Sequence, residues 1–206
     1  LLLKFAQMQD VPHLSVEPPG QLNWMAQGIA HADLVNTASP SYAREILTEE
    51  SGGGLQALLQ EREDSLFGIL NGLDTALWDP ERDNVLTQTF GVDTLHMRAV
   101  NKAALQREVR LPARPDVPLL GWVARLDPIK GLDIMAAALV SILQKQDAQF
   151  IMLGAGDPDQ EARFQALQER FPEYVRVLVK FDDRLARRIY GGTDLFLVPS
   201  RSEPSG

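Results

Sequence analysis

From Pro118 onward the chain alternates two hydrophobic patterns. Near-continuous apolar runs at 119–124, 148–153, 174–179 and 194–198 read as strands, and amphipathic stretches at 131–145, 159–171 and 182–191 between them read as helices. In the first helix Leu132, Met135, Leu139 and Ile142 fall at offsets of 0, 3, 7 and 10, one face of a 3.6-residue period. Strands that are apolar along their length and alternate with helices predict a parallel sheet covered on both faces. The reading is α/β: four strands and three helices of a doubly wound domain.

The N-terminal third shows the same alternation. Residues 22–32 predict a helix, with Leu22, Met25 and Ile29 on one face, and 33–38 a short strand. Ser39-Pro40 puts proline at the first turn of the next helix. Gly52-Gly53-Gly54 breaks the pattern, and 68–70 predicts a strand leading into a turn-rich 71–75. Residues 79–96 are polar and irregular, and 97–111 predicts a helix. Three prolines within 112–118 cannot continue that helix, which marks a domain boundary. There is no internal repeat or low-complexity tract.

Composition narrows the classes. With 206 residues, 45% hydrophobic and 23% charged, the chain is an ordinary globular sequence able to bury a sizeable core. A net charge of -8 argues against a nucleic-acid groove. The absence of cysteine removes disulfides, thiolate metal sites and a thiol nucleophile. The apolar start at 1–5 is interrupted by Lys4, too short to span a bilayer and unlike a signal peptide. The chain lacks an initiating Met and ends on a polar turn, so it reads as starting and stopping abruptly.

In doubly wound sheets ligands sit outside the carboxyl ends of the strands. The first such turn, W-V-A-R-L-D-P-I-K-G (122–131), places Arg125 just past a strand and Lys130 at the opening of a helix. Two cations there suit a diphosphate, each charge-assisted contact contributing about 1.5–3 kcal/mol; the same pair also reads as two solvated surface cations. The second turn, L-G-A-G-D-P (153–158), offers Gly154 and Gly156 for close approach of backbone to a nucleotide. Asp159 occupies the last glycine position of the dinucleotide fingerprint, so a plain tight turn fits equally. The third offers Phe181 as a stacking surface or a core aromatic. The fourth, V-P-S-R-S-E-P-S-G (198–206), offers Glu203 to sugar hydroxyls or to solvent. His13, His31 and His96 are too scattered for a metal site, and there is no nucleophile elbow or Walker loop.

Taken together, R-L-D-P-I-K-G-L-D (125–133), L-G-A-G-D-P (153–158), R-I-Y-G-G-T-D (188–194) and P-S-R-S-E-P-S-G (199–206) resemble the bacterial glycogen synthases and plant starch synthases. V-N-T-A-S-P-S-Y-A-R-E-I-L (35–47) and G-I-L-N-G-L-D-T-A-L-W-D-P (68–80) resemble two further blocks of that family, in the same order. The resemblance implies a retaining glycosyltransferase of two Rossmann-like domains that moves glucose from ADP-glucose to the nonreducing end of an α-1,4-glucan. No metal or other cofactor is expected, and neither a membrane nor a nucleic acid. It implies a cytoplasmic enzyme, or a plastid one in a plant or alga. Residues 1–78 would be the C-terminal part of the first domain, 79–117 a linker and connecting helix, and 118–206 the first half of the nucleotide-sugar domain.

Carried over by motif, Arg125 and Lys130 would hold the diphosphate and stabilise its growing charge, and Glu203 would bind the donor glucose. Asn71 would reach the same sugar, Phe181 would stand beside the adenine, and Gly154, Gly156, Ser205 and Gly206 would complete the donor pocket. Ser205 stands where the family has a cysteine, and Ala26 in N-W-M-A-Q-G (23–28) where it has a lysine. The family's N-terminal donor loop, its catalytic histidine and a second donor block have no counterpart in the chain, which therefore resembles the middle of an enzyme, inactive by itself. Two other readings stay open: a non-catalytic glucan-binding or regulatory module, and a related transferase using another nucleotide sugar.

Overall fold

A computed structural model describes residues 23–145 and 148–205, which form two compact units: residues up to Gly72 together with Glu203 onward, and Leu73–Ser202. Leu22, His13 and Gly206 lie outside the described residues.

In the first unit, helix α1 (Trp24–His31) is capped by Asn23, whose side chain accepts from the Ala26 amide at 3.0 Å. Strand β1 (Val35–Thr37) pairs in parallel with β2 (Leu66–Gly68). Between them run α2 (Pro40–Glu45) and α3 (Gln56–Glu61). Ser39 caps α2 through the Tyr42 amide at 3.0 Å and Pro40 occupies its first turn, as the sequence predicts. Strand β2 begins two residues earlier than the predicted 68–70. Its ladder is limited by the three residues of β1, and closes where the Ile69 amide donates to Thr37 at 2.9 Å. Ile69 and Leu70 are consequently exposed, while Ala26, Ile46, Leu55 and Leu59 form the core.

The second unit is built on four parallel strands in the order β5-β4-β3-β6. In chain order they are β3 (Leu119–Val123), β4 (Gln149–Leu153), β5 (Val175–Leu178) and β6 (Leu195–Phe196). Helices α5 (Leu132–Lys145), α6 (Pro158–Arg170) and α7 (Asp183–Gly192) connect them, and α4 (Arg98–Glu108) precedes β3. Alternate strand residues divide between two cores. Leu120, Trp122, Phe150 and Met152 meet α5 and α6 on one face. Leu119, Ile151 and Leu153 meet α4 and α7 on the other. Burial on both faces is why these strands read as unbroken apolar runs.

Residues 79–117, with α4 among them, fold with this second unit. The Lys102 ammonium is buried, donating to the Pro115 and Val117 carbonyls at 3.0 and 2.7 Å and pairing with Asp194 at 2.7 Å. The buried Gln106 and Gln149 amides bond at 2.7 Å, and Gln149 also donates to Pro112 at 2.9 Å. The proline-rich stretch is thus pinned through its carbonyls, which a lack of N–H groups leaves as its main hydrogen-bonding capacity. The Gly-Gly pair at the end of α7 lets that helix approach its neighbours: a Cβ on Gly191 would lie 2.6 Å from Leu86 Cδ2. Arg98 donates to the Thr193 carbonyl at 2.6 Å and to Gly191 at 3.3 Å, satisfying groups at the helix C-terminus. Among the described residues no helix is long and apolar enough to cross a membrane.

Candidate functional site

A cavity of about 420 Å³ in the second unit opens at the carboxyl ends of its strands. Val123, Ala124 and Arg125 reach it from β3, and Leu153, Gly154 and Ala155 from β4. Lys180, Phe181 and Asp182 reach it from the segment after β5, Asp183, Ala186 and Tyr190 from α7, and Trp78 closes one end. This is where a doubly wound sheet places its ligand: β3, β4 and β5 run consecutively to one side, and β6 then crosses back beyond β3.

Each wall follows from local sequence. Asp157 caps α6 by accepting from the Asp159 and Gln160 amides at 2.9 and 3.1 Å, with Pro158 in the first turn. The loops after β3 and β4 are joined: Leu126 donates to Ala155 at 3.1 Å and Asp157 to Leu126 at 2.8 Å. Gly154 and Gly156 serve this joint. A Cβ on Gly154 would overlap the Ala124 carbonyl, and one on Gly156 would come within 2.5 Å of the Leu126 oxygen. Substituting Gly154 by alanine is therefore expected to cost about 1–3 kcal/mol, read as a lowered melting temperature, together with loss of whatever the cavity binds.

Arg125 is three-quarters exposed at the mouth, with Asp127 at 3.8 Å. Asp127 caps the short turn Pro128–Lys130 through the Ile129 amide at 3.1 Å. Lys130, half-buried, ends that turn on the same loop and is not part of the cavity wall. Arg201 docks the 199–202 turn onto this loop. Its amide donates to Ile129 at 2.8 Å, and its guanidinium grips Asp133 through two bonds of 2.8 and 2.7 Å. That grip holds the Asp133 carboxyl well below the usual carboxylate range.

Phe181 is 94% exposed although it lines a cavity. An aromatic ring left in water at a cavity mouth is a surface waiting to be covered. Opposite it, the Trp78 and Tyr190 rings meet edge-on with centroids 5.8 Å apart, and Tyr190 stacks at a tilt on Phe196 at 4.8 Å. Burial, with a contribution from the Asp183 carboxylate, raises the Tyr190 hydroxyl pKa. Among the described residues no cluster of His, Asp or Glu could hold a metal ion.

Of the predicted site residues the structure brings Arg125, Gly154 and Phe181 to one cavity. Gly156 and Lys130 adjoin it on the same two loops. Asn71, Glu203 and Ser205 belong to the first unit, where Asn71 and Glu203 are exposed. Trp78, Asp183 and Tyr190 went unnoticed in the sequence; the offsets of 0, 3 and 7 between Asp183, Ala186 and Tyr190, one face of α7, were the available signal.

A family model described as the starch synthase catalytic domain matches residues 2–61, and one described as glycosyl transferases group 1 matches residues 117–206. The glycogen synthase of Anaeromyxobacter dehalogenans is 50% identical over 186 residues, 90% of this chain and 39% of that protein. The glycogen synthase of Thermotoga maritima is 41% identical over 206 residues, 99% of this chain and 42% of that protein. Among solved structures, the catalytic domain of starch synthase IV from Arabidopsis thaliana, bound to ADP and acarbose, matches with a TM-score of 0.82 at 35% identity. That match covers 90% of this chain and 38% of the other.

The chain is similar to the glycogen and starch synthases along nearly its whole length. It spans 39–42% of the length of these glycogen synthases. The α/β architecture with parallel strands in both units agrees with the fold that the motif blocks of this family implied.

Proposed function

We propose that the whole protein transfers glucose from ADP-glucose to the nonreducing end of an α-1,4-glucan with retention, and that this chain contributes the donor's nucleotide pocket. The observation that carries the reading is the cavity at the ends of β3, β4 and β5, with the Arg125 guanidinium at one side and the uncovered Phe181 ring at the other. Its support from outside is the starch synthase structure that holds ADP and acarbose.

In this reading Arg125 and Lys130 neutralise the diphosphate as it leaves. Positive charge fixed in advance at the point where negative charge grows lowers the barrier without reorganisation during the reaction. Phe181 covers one face of the base. Glu203 and Asn71 hydrogen-bond the glucose, and Gly154, Gly156, Ser205 and Gly206 give the donor room. Neither a metal nor another cofactor takes part. Incubation of the whole protein with radiolabelled ADP-glucose and glycogen is expected to lengthen α-1,4 chains. No glucosyl transfer from any nucleotide sugar would overturn the reading, and transfer from UDP-glucose in preference would overturn its donor.

A further inference from the structure

The cavity is electrostatically polarised along the sheet. Arg125 stands at the end of β3, and Asp182 and Asp183 stand beyond β5, two strands away. At about 4.8 Å per strand the two ends are roughly 10 Å apart. Lys180 at that end is paired with Asp182 and leaves Asp183 as its net charge, so a bound nucleoside diphosphate is favoured with its phosphates toward the guanidinium and its base toward Asp183.

Of the two carboxylates, Asp182 is occupied. One of its oxygens accepts from the Leu185 amide at 2.9 Å as the helix cap, and the other from Lys180 at 2.7 Å. The Asp183 carboxylate has no hydrogen bond or ion pair among the described residues. It shares a face of α7 with Ala186 and Tyr190, both of which line the cavity, and its charge is felt at the Tyr190 hydroxyl. Its carboxylate is therefore an acceptor, and acceptor only, beside the edge of any base lying on Phe181.

We infer that Asp183 selects the base of the donor by accepting a hydrogen bond from an exocyclic amino group, and so favours adenine over uracil. Adenine presents such a group; uracil presents its O4 carbonyl in that position, and the one donor of that edge, N3–H, lies between two carbonyl oxygens that a carboxylate repels. The inference rests on the proposed function and names the residue that sets donor preference.

The test is a cycle of two ligands and two proteins. ADP and the 6-unsubstituted purine riboside 5′-diphosphate, which differs from ADP by the amino group alone, are titrated calorimetrically into the whole protein and into its Asp183→Ala form. The unaltered protein is expected to bind ADP about tenfold more tightly than the amino-free analogue, the low end for a charge-assisted hydrogen bond at an exposed site. In Asp183→Ala that difference disappears, ADP weakens, and UDP binds no worse than before. Asp183→Asn, which keeps an acceptor oxygen and the shape of the side chain, retains part of the preference and guards against a folding defect in the alanine form. ADP binding with the same tenfold preference in both substituted proteins overturns the inference and leaves the proposed function standing. Failure of the unaltered protein to bind any nucleoside diphosphate overturns both.

Discussion

Replacing Arg125 by alanine is expected to lower the glucosyl transfer rate of the whole protein by about a hundred- to a thousandfold, the range seen when one preorganised transition-state contact is lost. The melting temperature should hardly change. Arg125 is three-quarters exposed and its ion pair with Asp127 is long at 3.8 Å, so its contribution to the folded state is small. What it holds is a guanidinium at the carboxyl end of β3, beside a cavity whose other end carries carboxylates. In the proposed reaction charge on the diphosphate grows as the bond to glucose breaks, so the loss should fall more on kcat than on KM. Arg125→Lys keeps the charge but not the planar fork, and should recover only part of the rate. A variant that transfers glucose at an unchanged rate would remove Arg125 from the reaction.

The second unit was largely legible in the sequence because its strands are buried on both faces. Continuous apolar runs leave little freedom in where a strand lies, and Leu119–Val123, Gln149–Leu153 and Val175–Leu178 fall inside the predicted stretches. The first unit was less so. Its strands are three residues long, and β2 is set by β1 and by the crowding of Ser39 and Pro40 against Gly68, none of which a local pattern encodes.

The site was legible where a residue is tied to a strand end, as with Arg125 and Phe181. It was not where the fold brings distant segments together. Trp78 and Tyr190 are 112 positions apart and share one wall. The glycines of L-G-A-G-D-P looked like room for a ligand; Gly154 and Gly156 also make room for the neighbouring loop. That demand arises only once β3 and β4 are paired.

A buried ion pair in the second unit ties the segment that follows Trp78 to α7, and breaking it should have the largest effect on stability. Arg187 on α7 bonds both oxygens of Asp83, at 2.9 and 2.5 Å, with side-chain exposures of 11% and 7%. Asp83 also accepts from the Val85 amide at 2.8 Å, and Arg187 reaches the Leu77 carbonyl at 3.4 Å. The pair therefore fastens the irregular stretch 77–85 to the helix that carries Asp183 and Tyr190. Arg187→Met leaves the Asp83 carboxylate buried without its partner, which costs about 3–5 kcal/mol. In thermal melts that corresponds to a fall of about 10 °C in the transition of this unit. ADP should bind more weakly as well, since Trp78 loses its anchor next to Tyr190. Adding Asp83→Leu to Arg187→Met removes the orphaned charge and should restore most of the melting temperature, because apolar replacements of both partners are often neutral. The double variant should not regain full ADP affinity, as the Leu77 contact and the turn held by the Val85 amide are still missing. A double variant as unstable as the single one would show that the cost lies in packing around Arg187, with the ion pair incidental to it.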